Sequence, residues 1–452
     1  MGRGTANRAT PGRAILALLA VTLAAVLIWP AVAPAASRYG SQPGAPAAGP
    51  DRYDRVWVER HGPESARTVL VLIPGTGGGA GSVAPVARDL ARQVRGLQVW
   101  GFDRRSQAFE DRSGFQGADP AKALDYYLGF KYRRVLSEDS RFVAEWGFAT
   151  ELNDLRRVIR RASDGGRRRV ILGGHSRGAS SAVAYAAWDF NGRPGYRDLD
   201  GLVLIDGGLA AFGDQELSLQ DATTRLAELR AGQVFNDALG AGIPEIGPIF
   251  SELVALYARK LPDQASVIQP NPLVPASLRP AFPVTNEGFL GSIFDKTSSP
   301  PSFAALRLRA GALAASGDPR PWVDGENTPI QRFAAAFSRE PANATEWYYP
   351  RRMVLDTNAA NALQRTPAAD LLGLRLFHTA RIDVPLYAIQ TDLTGGGVLR
   401  GARAVVRRSK IRRPVLVDAS ATMSHLDPVL AAPETNRFTR TVTPFLRSIA
   451  RR

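Results

Sequence analysis

Residues 168–187 read RRVILGGHSRGASSAVAYAA. Two arginines lead into the apolar, β-branched run Val170 to Leu172, which is typical of a buried strand. The small residues after Arg177 favour a closely packed helix. Between these two parts lies Gly174-His175-Ser176-Arg177-Gly178, a G-x-S-x-G pattern whose glycines permit a strained turn. The stretch therefore predicts a strand, a sharp turn that lifts the oxygen of Ser176 clear of the backbone, and a helix.

Strand and helix patterns alternate on both sides of this stretch. Such alternation is typical of parallel strands joined by crossover helices, with both faces of the sheet covered. We therefore expect an α/β fold with a mostly parallel sheet. The predicted strands are 68–73, 97–102, 170–172, 201–205, 384–389 and 414–417, and the predicted helices are 82–94, 151–161, 177–189 and 441–449.

The alternation stops after Gly208 and resumes near residue 381. We expect core segments at 52–208 and 381–452, with a large, mainly helical lid insertion at 209–380 that includes helical patches at 249–261 and 302–314. Large insertions over the carboxyl edge of a sheet usually build lids or substrate pockets. Seven aromatic residues of the insertion are candidates for an acyl pocket, although packing within the insertion is the simpler reading for each: Phe250, Phe289, Phe294, Trp322, Trp347, Tyr348 and Tyr349.

Residues 1–36 have the pattern of an export signal. Three arginines precede an apolar run at 14–29, and small residues ending in Ala33-Pro34-Ala35 follow it. A cleaved signal peptide is favoured over an uncleaved anchor at 14–33. Either reading places the body of the protein outside the cytoplasm, secreted or in the cell envelope. Residues 37–51 are rich in Pro, Gly and Ala and are predicted to form a flexible linker.

Composition excludes several classes of site. The chain of 452 residues has no Cys, which excludes disulfides, Cys-ligated zinc, iron–sulfur clusters and a thiol nucleophile. No two of the four His are four residues apart, which is the spacing of an HExxH zinc site. We expect neither a metal nor an organic cofactor. The net charge of +15 comes mainly from Arg. A coding bias explains it more simply than nucleic-acid binding, which we do not expect; association with a membrane surface stays open.

A serine nucleophile needs a base, normally a His that a carboxylate orients. His425 is expected in the loop just before the last helix, because Asp427-Pro428 resembles a helix start; this setting suits a base above the edge of a sheet. His61 and His378 have no such setting and are expected to be ordinary histidines. His175, inside the serine turn, is expected to point away as a packing residue.

Two aspartates compete for the place of the carboxylate. Asp392 follows the strand pattern at 384–389, and Asp206 ends the one at 201–205. We favour Asp392, because the acid usually follows the next-to-last strand in a Ser, Asp, His order.

Acyl transfer also requires hydrogen-bond donors for an oxyanion. The N–H of Arg177, at the start of the helix after the serine, is one candidate. The second is expected from the glycine-rich loop 75–79, with Thr76 the first choice and Gly77 the second.

On these residues the chain resembles the α/β-hydrolase superfamily. The resemblance rests on the turn at 174–178, the glycine loop after strand 68–73, Asp392 and His425, and it covers both core segments but not the insertion. It implies a mostly parallel sheet of about eight strands flanked by helices. It also implies hydrolysis through an acyl-enzyme, with a small or lipid-like carboxylic ester as substrate. Many members have His-Gly in the oxyanion loop, where this chain has Pro74-Gly75.

Two alternatives remain open. Gly75-x-Gly77-x-x-Ala80 matches a dinucleotide fingerprint, with Asp103 placed to bind a ribose, but this reading accounts for neither the serine turn nor His425. The chain could also be a non-catalytic binding protein on a hydrolase scaffold, because a fold does not guarantee an activity.

Overall fold

The structure is a computed structural model that describes Met1 and residues 38–213, 216–237, 240 and 242–451. Apart from Met1, the predicted export signal at 1–36 lies outside these residues. No helix in the described ranges is both long and apolar enough to cross a membrane. Residues Ala35–Arg452 form a compact unit, which contains all strands and helices of the described residues and their hydrophobic core. This unit, called the body below, therefore has the core that it needs to fold by itself.

Strands of the described residues are β1 (Arg38–Pro43), β2 (Arg55–His61), β3 (Thr68–Ile73), β4 (Leu97–Asp103), β5 (Arg169–His175), β6 (Asp189–Phe190), β7 (Arg193–Pro194), β8 (Gly201–Ile205), β9 (Gly311–Leu313), β10 (Trp322–Asp324), β11 (Leu386–Gln390) and β12 (Val415–Asp418). Eight of them form a sheet at the centre of the body, in the order β1-β2-β4-β3-β5-β8-β11-β12. The last six strands of this order, from β4 to β12, are parallel to one another, whereas β2 runs antiparallel to both β1 and β4.

Helices flank this sheet, as the alternating sequence pattern predicts. Those of the described residues are α1 (Ala80–Gln93), α2 (Pro120–Leu128), α3 (Phe148–Ser163), α4 (Arg177–Ala187), α5 (Leu219–Arg230), α6 (Ile246–Lys260), α7 (Asn286–Phe294), α8 (Ile330–Phe337), α9 (Arg351–Ala360), α10 (Pro367–Leu371), α11 (Gly397–Arg407), α12 (Asp427–Leu430) and α13 (Arg437–Ala450). Helices α1 and α13 contact each other, and α3 and α4 form a second contacting pair. Strands β3 and β4 are buried along their whole length, as expected for parallel strands between helices.

Residues 209–380 lie between β8 and β11 and contain α5 to α10 with the small β9–β10 hairpin. We call this segment the insertion. The helix predicted at 249–261 corresponds to α6. The helix predicted at 302–314 is wrong, because Pro301–Leu306 form only a 3₁₀ turn and β9 follows.

The prediction of a flexible linker at 37–51 is wrong for residues 38–43. Residues Arg38–Pro43 form the edge strand β1, which pairs with β2 along all six positions. Tyr39 Oη also donates a hydrogen bond to the buried Asp103 Oδ2 at 2.8 Å, and Ala45 N donates to Asp154 Oδ1 at 2.6 Å. A Pro- and Gly-rich composition is compatible with an edge strand, where few backbone groups need partners.

These contacts predict that the Tyr39→Phe substitution destabilises the protein. The substitution leaves the buried Asp103 without one of its donors, so we expect the free energy of unfolding to fall by about 1–3 kcal/mol. Urea unfolding of the body measures this change, with Arg38→Ala at the neighbouring exposed position as control. Equal, negligible effects of the two substitutions would mean that residues 38–43 behave as a linker in solution.

Candidate active site

Ser176 occupies a strained turn between β5 and α4. Its backbone angles are φ 55° and ψ −126°, a region that residues with a side chain rarely adopt. Its N–H donates to the carbonyl of Ile205 on the adjacent β8 at 2.8 Å. The flanking positions must be glycine: a Cβ at Gly174 would lie 2.1 Å from the carbonyl of Gly178, and one at Gly178 would lie 2.2 Å from Ile73 O. The serine itself stays half-buried.

His425 lies over this edge of the sheet and is paired with Asp206. The distance from His425 Nδ1 to Asp206 Oδ2 is 2.6 Å, and both side chains are buried. Thr391 donates to the same carboxylate through its N–H, at 2.6 Å, and through its hydroxyl. Burial by itself would raise the pKa of Asp206, but the hydrogen bond and charge of His425, together with Thr391, outweigh burial and lower it. Asp206 is therefore a carboxylate that accepts a hydrogen bond from Nδ1–H of the imidazole.

The preference for Asp392 as the partner of His425 is wrong. Asp392 instead accepts from Ser424 Oγ at 2.9 Å and pairs with Lys296 and Arg309 of the insertion. The reason is the order of the strands. Strand β8 is the direct neighbour of β5, with His175 opposite Ile205, so the next residues along these two strands are Ser176 and Asp206.

His175 does not point away from the site. Its Nε2 lies 2.9 Å from the carbonyl oxygen of His425, and the two rings stack obliquely with their centres 4.5 Å apart. Burial, and then the charge of His425, lower the pKa of His175 to about 3. His175 is thus neutral at ordinary pH and donates Nε2–H to the His425 backbone.

Ser176 and His425 line one cavity of about 510 Å³ between the sheet edge and the insertion. Of the seven aromatic candidates, four line this cavity and three pack elsewhere in the core. The lining residues are Phe250, Phe294, Trp347 and Tyr349; those outside the lining are Phe289, Trp322 and Tyr348.

The glycine loop approaches the serine closely. A Cβ at Gly75 would lie 3.0 Å from Ser176 Cβ, and Thr76 and Gly77 line the cavity. Among the described residues, none accepts a hydrogen bond from the N–H of Thr76 or Gly77. The N–H of Arg177 is at the first position of α4 and has no acceptor within that helix. The three N–H groups predicted to be oxyanion donors therefore border the same cavity and are free to bind an anion.

A buried network of charges, which sequence reasoning missed, lies beneath this loop. Arg104 pairs with Glu151 and with Glu346, each at 2.7 Å, and donates to the carbonyl of Pro74 at 2.9 Å. Glu151 also pairs with the side chain of Arg177 at 2.9 Å. Burial would raise the pKa of Glu151, but the two arginines outweigh it and hold the pKa at about 2. The available signal was a charged residue on the apolar face of the helix at 151–161, next to Leu152 and in line with Leu155.

The dinucleotide alternative does not fit this geometry. The N–H groups at the start of α1, which would hold a pyrophosphate, already bind protein: Gly79 N donates to Ala344 O at 2.9 Å and Gly81 N to Asn343 O at 2.8 Å. The Asp103 carboxylate accepts hydrogen bonds from Ala80 N and Tyr39 Oη rather than facing a ribose site.

In the described ranges, no three His, Asp or Glu side chains cluster as metal ligands.

The network predicts that Glu151→Gln is strongly destabilising. The substitution leaves the guanidinium groups of Arg104 and Arg177 buried with too few anions, so we expect a loss of about 3–5 kcal/mol in the free energy of unfolding. The contribution of Glu151 is complete above its unfolded pKa, ordinarily near 4.5, and is lost as pH falls toward its folded pKa of about 2. In urea unfolding between these pH values, the free energy of unfolding should therefore fall less with decreasing pH for the variant than for the wild type. Glu64→Gln, at an exposed site, is the control; identical pH curves for wild type and Glu151→Gln would contradict the assignment.

Comparisons with known proteins give structural likenesses alone. No family model and no curated protein matches the chain. Similar solved structures include a candidate lipase from Sulfolobus solfataricus (16% identity, 92% of this chain and 98% of that chain covered, TM-score 0.49). An epoxide hydrolase, VrEH1, from Vigna radiata (14%, 91% and 98%, 0.45) and a thermophilic esterase from Thermogutta terrifontis (14%, 91% and 99%, 0.38) are also similar. At these identities the likeness concerns the fold.

The fold itself has three features in common with the family that the sequence resembles. The sheet has eight strands and is mostly parallel, the G-x-S-x-G serine lies in a strained strand-to-helix turn at its carboxyl edge, and serine, aspartate and histidine follow each other in this order along the chain. The described residues therefore have the architecture of an α/β-hydrolase fold.

Proposed function

We propose that the protein is a serine hydrolase that cleaves carboxylic esters through an acyl-enzyme. In this proposal Ser176 is the nucleophile, His425 the general base and Asp206 the acid that orients the histidine. The observation that carries the proposal is the buried His425–Asp206 pair, 2.6 Å apart, together with a strained serine that lines the same cavity as His425. The alternative of a non-catalytic binding protein does not require these three groups to be placed together.

Each of these groups has one role in the proposed reaction. Ser176 Oγ attacks the ester carbonyl while the imidazole of His425 takes its proton, and Asp206 stabilises the resulting imidazolium. The carbonyl oxygen becomes an oxyanion, which the N–H of Arg177 and that of Thr76 or Gly77 stabilise. His425 then gives the proton to the leaving alcohol. Water repeats the sequence on the acyl-enzyme, which releases the acid and restores the serine.

The cavity lining favours a neutral acyl substrate, small or lipid-like. Besides His425, the lining has two acidic or basic side chains, and both are held by partners outside the substrate space: Arg177 pairs with Glu151, and Glu346 pairs with Arg104. Most other lining residues are apolar or uncharged. In such a site the acyl group gains hydrophobic burial, whereas a charged group finds no free counter-ion.

A location outside the cytoplasm also belongs to this proposal and rests on the pattern at residues 1–36.

A fluorophosphonate reagent tests the nucleophile. We expect one covalent adduct per chain, located on Ser176 by intact mass and peptide mapping of the body, because only a serine next to a base reacts at neutral pH. Ser176→Ala is the control and should give no adduct. A folded wild-type sample that stays unlabelled would contradict the proposal and favour the non-catalytic binding protein.

A matched pair of aspartate substitutions tests the acid. We expect Asp206→Asn to lower kcat for a p-nitrophenyl ester by about 10⁴-fold, because the histidine loses the carboxylate that fixes its tautomer and stabilises its charge. Asp392→Asn should lower kcat by less than about tenfold, because Asp392 contacts Ser424 and the insertion but not the imidazole. The opposite ranking of the two variants would move the acid to Asp392.

A further inference from the structure

The segment 393–417 is strongly basic and contains no acidic residue. Its positive side chains are all exposed, and within the described part of the chain none of them lies in an ion pair. A concentration of unneutralised positive charge costs stability through self-repulsion and attracts anions. The seven residues are Arg400, Arg403, Arg407, Arg408, Lys410, Arg412 and Arg413.

Helix α11 arranges the first three of these residues on one side. Its buried face includes Val398, Leu399, Ala402 and Val405, and the helix contacts β11 and β12. Arg400, Arg403 and Arg407 follow the spacing i, i+3, i+7 and therefore project along one outer face. We call this face, together with the basic residues at 408–413, the basic face.

The basic face begins beside the mouth of the active-site cavity. The start of α11 packs against residues 209–211: a Cβ at Gly397 would lie 2.0 Å from Ala211 O, and one at Gly401 would lie 2.6 Å from Leu209 O. The next residue, Phe212, lines the cavity and is 54% exposed. Leu306 also lines the cavity and is 38% exposed. We call Phe212 and Leu306 the apolar rim.

We propose that the basic face and the apolar rim together bind the surface of an anionic phospholipid bilayer. Phosphate groups of the lipids neutralise the arginines, and the two large apolar side chains enter the boundary between headgroups and acyl chains. A nucleic acid would also neutralise the arginines, but it gives no reason for a Phe and a Leu to be exposed beside them. A bilayer therefore accounts for both the unneutralised arginines and the exposed apolar residues at the cavity. This binding is independent of the proposed hydrolysis, because neither the basic face nor its ligand takes part in the reaction.

Vesicle flotation of the body tests the basic face. We expect binding to vesicles of phosphatidylcholine with phosphatidylglycerol, little binding to phosphatidylcholine alone, and a loss of binding at high salt. The triple variant Arg400→Gln, Arg403→Gln, Arg407→Gln should weaken partitioning by about 100-fold, because each arginine near an anionic surface contributes about fivefold. The matched control replaces Arg157, Arg160 and Arg161, which are exposed on α3, by Gln and should weaken it by less than about tenfold. Thermal unfolding of each variant checks that it is folded.

The apolar rim has its own variant. The double variant Phe212→Ser, Leu306→Ser should weaken binding to the anionic vesicles. The salt dependence of this binding should stay the same, because the charges are unchanged. Three results would overturn the proposal. The first is that the folded wild type does not bind anionic vesicles. The second is an equal loss of vesicle binding for the α11 and α3 triple variants, which would mean that net charge alone determines binding. The third is binding of double-stranded DNA that the α11 substitutions abolish, without binding to vesicles.

Discussion

The guanidinium of Arg104 connects the three parts that form the site. It donates to the carbonyl of Pro74, where the glycine loop begins, and pairs with Glu151, which in turn pairs with Arg177 beside the serine. Another of its partners, Glu346, belongs to the insertion. A buried charge is tolerated only with its partners in place. The loop, the serine turn and the insertion therefore cannot move apart without exposing or leaving unpaired a charge that the fold has buried.

This pairing also determines where the positive potential of the site comes from. The side chain of Arg177 is turned to Glu151, so the cation next to Ser176 does not face a substrate. The positive groups that border the cavity are instead the N–H of Arg177 and those of Thr76 and Gly77. Backbone donors on a rigid loop need little reorganisation when charge develops, which makes them effective for an oxyanion. The charge network is thus a support for the loop rather than a part of the proposed chemistry.

Local patterns predicted the parts of the site that depend on local geometry. The turn at 174–178 and the position of His425 before a short helix follow from glycines, a proline and apolar periodicity within a few residues. The choice between Asp206 and Asp392 could not be made this way, because each follows a strand, and only the order of the strands shows that β8 is the neighbour of β5. The edge strand β1 was missed for a related reason: its pairing with β2 and the Tyr39–Asp103 bond are tertiary contacts, which composition does not indicate.

His425 is held at both its ring and its backbone, and the two contacts have different origins. Asp206 binds the ring nitrogen, whereas His175, from the serine turn itself, donates to the carbonyl of His425. A charged His175 would repel the imidazolium that the proposed reaction forms 4.5 Å away, but its burial keeps its pKa at about 3 and so keeps it neutral. The adjacent Leu426 N donates to Arg307 O of the insertion at 2.9 Å. Because the insertion also holds the glycine loop through Glu346, a shift of the insertion would act on the base and on the oxyanion donors together.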